Sequence, residues 1–193
     1  IFACVRKIDT SFKSLISDIS KEYNNKIIPI EVNFEDFESV KVSAQSIIDK
    51  NIPIDILINN AGIIENSLFQ MTTIKNLKKI FDVNFFSQTL FTQIILKSII
   101  KNKKGSIVYI SSTSALDGIV GRNSYSSSKA AIISQANTLS REVGRSNIRV
   151  NVVSPGLTNT DMMKMNTQNK VLEETVSRLS LKRIGTTEEI ANV

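Results

Sequence analysis

Histidine and tryptophan are absent from the 193 residues, and there is one cysteine, Cys4. Without imidazole the commonest catalytic base and metal ligand are gone, so Ser-His-Asp and Cys-His catalysis are excluded within this sequence. A single thiol excludes an internal disulfide and any zinc site built on several thiolates, and it fits a reducing compartment. No stretch reads as a signal peptide, and no apolar run reaches the ~18 residues of a membrane span. A cytoplasmic protein with no membrane partner and no metal is therefore expected. Glycine is also scarce: there are seven, and the first is Gly62. Chemistry falls to Tyr, Lys, Ser, Asn or carboxylates, with or without a cofactor.

The net charge is +6, yet no long basic run exists. Lys101, Lys103 and Lys104 form one cluster at an expected helix end, where cations complement the helix dipole. No nucleic-acid partner is expected. Hydrophobic residues at 41% and charged residues at 22% suit one globular domain over residues 1–193, large enough to bury a core.

Apolar runs at 1–5, 27–32, 54–58, 106–110 and 148–153 read as strands. Between them, helical spacing covers 11–23, 37–51, 73–100 and 124–144, with Gly144 placed as a C-terminal cap. Residues 111–123 read as a polar loop. A further helix lies near 170–179, and Thr187 is placed to cap a last one, with Glu188 and Glu189 in its first turn. This alternation predicts an α/β fold with a doubly wound parallel sheet and helices on both faces. Ligands of such sheets bind beyond the carboxyl ends of the strands.

One constellation stands at those ends. Ser112 follows the strand ending at Ile110, Tyr125 comes thirteen residues later, and Lys129 four after that. On a helix Tyr125 and Lys129 share a face, one turn apart. An ammonium beside a phenol stabilises the phenolate and lowers the tyrosine pKa. Such a tyrosine can exchange a proton with a carbonyl or alcohol oxygen, and a nearby serine hydroxyl can bond the same oxygen. Asn59-Asn60-Ala61-Gly62 ends another strand, where Ala-Gly lets a ligand approach the backbone. Pro155-Gly156 ends the last strand, with Thr158, Thr160 and Asp161 following. Asn84 is a poor residue for the middle of a helix, and either its side chain or a disturbed backbone there could hold a water.

Asn59 to Gly62, Asn84, Ser112, Tyr125 to Lys129 and Pro155 to Thr160 stand in an order and spacing that resembles the short-chain dehydrogenase/reductase family. The segments 147–156 and 183–191 look most like bacterial 3-oxoacyl-[acyl-carrier-protein] reductases of fatty acid synthesis. The resemblance implies a Rossmann-like fold and hydride transfer with a nicotinamide cofactor. It makes Tyr125 the general acid and gives Lys129 the ribose hydroxyls and the tuning of the phenol. Ser112 positions the substrate oxygen, and Asn84 anchors a relay water. Asn60, Ala61 and Gly62 would flank the adenosine side of the cofactor, and Pro155, Gly156, Thr158 and Thr160 the nicotinamide. After the first strand, Arg6 suits a 2′-phosphate, so NADP is expected over NAD. Asn33 stands where relatives place an adenine-contacting aspartate, with Glu31 as the alternative.

The family's first strand, its glycine-rich phosphate loop and its last strand have no counterpart here, so the chain is expected to be incomplete at both ends. A homodimer or homotetramer is expected through the helices at 73–100 and 124–144. An acidic carrier protein needs a basic landing surface, for which Lys103 and Arg145 are candidates. Two alternatives remain: an enzyme of the same family acting on a sugar, steroid-like or other secondary alcohol, and a non-catalytic nucleotide-binding relative.

Overall fold

A computed structural model describes residues 1–167 and 169–193. Five strands alternate with helices. Strand β1 (Phe2–Val5) leads to α1 (Thr10–Glu22), and β2 (Ile28–Glu31) to α2 (Phe37–Ile48). After β3 (Ile56–Asn59) come a 3-10 turn (Phe69–Met71), α3 (Ile74–Phe81), a π-helical turn (Asp82–Phe86) and α4 (Ser87–Lys101). Then follow β4 (Gly105–Ile110), α5 (Ser114–Asp117), α6 (Asn123–Val143) and β5 (Ile148–Val153). The last described elements are α7 (Asp161–Asn166), α8 (Asn169–Arg178) and α9 (Thr187–Ala191).

Side chains start many of these helices. Asp9, Asp36, Thr73 and Thr160 each accept a backbone N–H in the first turn of α1, α2, α3 and α7. At α9 the cap is Thr186, not the expected Thr187. Thr186 accepts the Glu189 N–H, and the Glu189 carboxylate accepts the Thr186 N–H at 2.8 Å, a reciprocal capping box. The α6 terminus also differs from expectation. Gly144 has helical φ (−56°) and runs into a 3-10 turn, and Asn147 takes the left-handed conformation (φ 58°) just before β5. Part of the expected loop at 111–123 is the short helix α5.

All strand pairings among the described residues are parallel, as the alternation predicts. They form two sheets, β1-β2 and β3-β4-β5. The core gathers on the face packed by α2, α4 and α6, where Val40, Ala44, Ile95, Ile99, Ile107 and Ile132 are buried. Full burial of each larger aliphatic side chain contributes roughly 1.5–3 kcal/mol. The side chains of β3 alternate: Leu57 and Asn59 are buried, while Ile56 and Ile58 on the other face are 63% and 62% exposed. In the described residues, helices pack against the face of β3 that carries Leu57. No helix among the described residues is long and apolar enough to cross a membrane.

Candidate active site

The site lies beyond the carboxyl ends of β3, β4 and β5. The helix expected at 73–100 is interrupted by the π-turn, and Asn84 at its centre is fully buried. Asn84 Oδ1 accepts the Ile63 N–H at 2.8 Å. Its Nδ2 donates to the Ile63 carbonyl at 2.9 Å and to Ser128 Oγ at 3.0 Å. This asparagine ties the loop after β3 to α6. Such distant partners offset its poor helix propensity, and π-turns recur at functional positions.

Tyr125 and Lys129 lie one turn apart on α6, as the spacing predicts. Lys129 is buried and its Nζ donates to the Ile110 carbonyl at 2.7 Å, where β4 ends. The Lys129 carbonyl in turn accepts from Ser111 Oγ at 2.8 Å. Burial pushes the lysine pKa down to about 8. Its Nζ stands 5.8 Å from the centroid of the Tyr125 ring.

Burial raises the Tyr125 phenol above its ordinary value, and the Ser112 hydroxyl and Arg122 partly offset the rise. Lys129 was expected to lower it. The structure does not support this, because the ammonium is turned to the Ile110 carbonyl and is itself weakened by burial. Ser112 Oγ accepts the Ser114 N–H at 3.2 Å and the Ser114 hydroxyl at 2.9 Å. With both donors on its oxygen, the Ser112 proton is available to an oxygen at the site.

Gly62 packs closely against this cluster. A Cβ there would stand 3.4 Å from both Asn84 Oδ1 and Lys129 Nζ. Asn60 is exposed, and the Ala61 carbonyl accepts from the buried Gln88 amide. Pro155 is brought next to the serine loop, its carbonyl accepting the Thr113 N–H at 3.0 Å. Thr158 Oγ1 donates to the Gly156 carbonyl at 3.1 Å, and Thr160 Oγ1 caps α7.

Arg6 and Asn33 form a separate cluster at the ends of β1 and β2. Glu35 pairs with Arg6 at 3.4 Å and with Lys79 at 3.5 Å, and Asn33 Oδ1 accepts the Glu35 N–H. Glu31 is turned to the Ile8 N–H. A bond from Ser87 Oγ to the Phe34 carbonyl, 2.7 Å, joins this loop to the start of α4. Lys103 and Arg145 lie at the amino ends of β4 and β5, one strand length (about 17 Å) from the site. They do not border Tyr125 within this chain.

Sequence patterns missed Ser111, Ser114, Ser128 and Arg122. Ser128 had a signal, since it stands one helical turn after Tyr125. The others are fixed by contacts between segments.

A family model described as short chain dehydrogenase matches residues 1–171. The chain is 34% identical over 181 residues to the 3-oxoacyl-[acyl-carrier-protein] reductase FabG of Aquifex aeolicus, covering 94% of this chain and 73% of that protein. It is 35% identical to the FabG of Chlamydia muridarum, covering 93% and 72%. It is 34% identical to the acetoacetyl-CoA reductase of Cupriavidus necator, covering 86% and 67%. The chain belongs to the short-chain dehydrogenase family of NAD(P)-dependent oxidoreductases.

Proposed function

We propose that this protein reduces the ketone of a 3-oxoacyl thioester on an acyl carrier protein, with NADPH as reductant. The observation that carries this is the meeting of Ser112, Tyr125, Lys129 and Asn84 beside the backbone of Gly62, which carries no side chain. The buried amine of Lys129 and the side-chain-free Cα of Gly62 fit a ribose with its hydroxyls toward Nζ. When bound, the nicotinamide supplies the hydride to the carbonyl carbon. No residue of this chain is assigned to the cofactor diphosphate.

Tyr125 donates the proton that the carbonyl oxygen requires. The phenol is protonated near neutral pH, and the Ser112 hydroxyl and Arg122 strengthen it as an acid by offsetting part of the rise that burial causes. Ser112 donates a hydrogen bond to the same oxygen and holds it in line. Lys129, pushed to about 8, can lose and regain a proton near neutrality and so resupply the phenol. The side chain of Asn84 is committed to Ile63 and Ser128. The π-turn backbone, rather than that side chain, is therefore the better holder of a relay water.

Arg6, freed from Glu35, suits the 2′-phosphate of NADPH. Asn60, Ala61 and Asn33 would flank the adenosine, and Pro155, Gly156, Thr158 and Thr160 the nicotinamide. The helical surfaces of α4 and α6 suit assembly into a homodimer or homotetramer. The test is oxidation of NADPH, and of NADH for comparison, with acetoacetyl groups carried on acyl carrier protein or on coenzyme A. Turnover with NADPH and the carrier-bound thioester is expected. No thioester turnover, together with activity on free secondary alcohols, overturns the assignment.

A further inference from the structure

Residues 155–160 leave β5 beside the serine loop, and the residue after α7, Thr167, meets Arg122 at the start of α6. Residues 161–167 thus span from the loop carrying Ser112 to the start of the helix carrying Tyr125. Among the described residues, nearly all hydrogen bonds of 161–178 stay within 160–182. Among the described residues, two side chains from elsewhere hydrogen-bond to this stretch. Asn66 Nδ2 donates to the Asn166 carbonyl at 2.8 Å, and Arg122 Nη2 donates to Thr167 Oγ1 at 3.3 Å. Arg122 Nε also donates to Asn66 Oδ1 at 3.3 Å.

The base of the latch is fixed. Arg122 immediately precedes α6, three residues before Tyr125, and its carbonyl accepts the Ser126 N–H at 2.8 Å. The preceding Gly121 carbonyl accepts the Ser67 N–H at 2.8 Å. Arg122 and Asn66 are therefore held together by backbone, and the guanidinium fork spans two acceptors in fixed directions. An ammonium on a flexible stem offers no such fork.

We propose that Arg122, with Asn66, is a positioning residue that latches residues 161–167 over the Ser112–Tyr125 gap and so sets the affinity for the acyl substrate. Breaking the latch frees the segment without displacing Tyr125, Lys129 or Ser112. The substrate part of this proposal rests on the reductase function above; the latch itself does not.

The test compares amide exchange and steady-state kinetics of the full chain with those of Arg122→Met, Arg122→Lys and Asn66→Ala. Asn66→Ala keeps the positive charge near Tyr125, so its effects report the latch alone. Each variant is expected to speed exchange in 161–167 about tenfold, with β4 and α4 unchanged. For acetoacetyl thioester, KM rises about tenfold and kcat changes far less. Lysine does not rescue, and combining Arg122→Met with Asn66→Ala adds little to either alone. Unchanged exchange in 161–167 in both Arg122→Met and Asn66→Ala overturns the latch, as does an acceleration spread evenly over all strands. If the wild type reduces no carbonyl, the reductase assignment fails and the exchange measurement still decides the latch.

Discussion

Replacing Lys129 by Met removes a buried ammonium whose only close hydrogen-bond partner in the described structure is the Ile110 carbonyl. Burial lowers its pKa from 10.5 to about 8. The unfolded chain keeps the ordinary value, so between about pH 8 and 10.5 it binds more protons at this position than the folded chain does. Stability therefore rises with pH across that window. At about 1.4 kcal/mol per pH unit, the gap amounts to about 3 kcal/mol. The measurement is urea denaturation of both proteins from about pH 7 to 10.5. Other titrating groups largely cancel in the difference between them. The wild type is expected to gain about 3 kcal/mol relative to Lys129→Met across the window, with a flat difference below about pH 8. A difference that stays flat throughout, or falls as pH rises, refutes the claim that burial dominates this lysine.

Tyr125→Phe should lower the reduction rate by at least about a hundredfold while titration by NADPH fluorescence gives near-normal affinity. Equal turnover would remove the phenol from the mechanism. Glu35→Gln should free Arg6 and Lys79 and tighten NADPH relative to NADH by a few-fold. The exposed pairs are worth at most about 1 kcal/mol, so the melting temperature should hardly move. Gly105→Ala drives a Cβ into Ile99 Cγ2 and places it 3.2 Å from the Asp55 carbonyl. Denaturation should report a loss of roughly 1–3 kcal/mol, and the loss should shrink in an Ile99→Ala background.

The sequence by itself determined what depends on near neighbours along the chain. Alternating apolar runs specified parallel strands and their helices, because period 2 and period 3.6 are properties of local backbone. The four-residue spacing of Tyr125 and Lys129 put them on one helix face, and the family motifs marked Asn84 and Ser112. The caps were legible to within one residue: Thr186 rather than Thr187 starts α9, because only Thr186 stands three before Glu189. Tertiary packing decided the rest. It set the break in the helix at Asn84, whose partners Ile63 and Ser128 are 21 and 44 residues away. It turned Lys129 toward Ile110 and raised the Tyr125 phenol instead of lowering it. It joined Arg122 to Thr167 across 45 residues. Desolvation and long-range hydrogen bonds depend on which elements pack together, so residue type and spacing named the candidate groups, while the fold set their protonation and their partners.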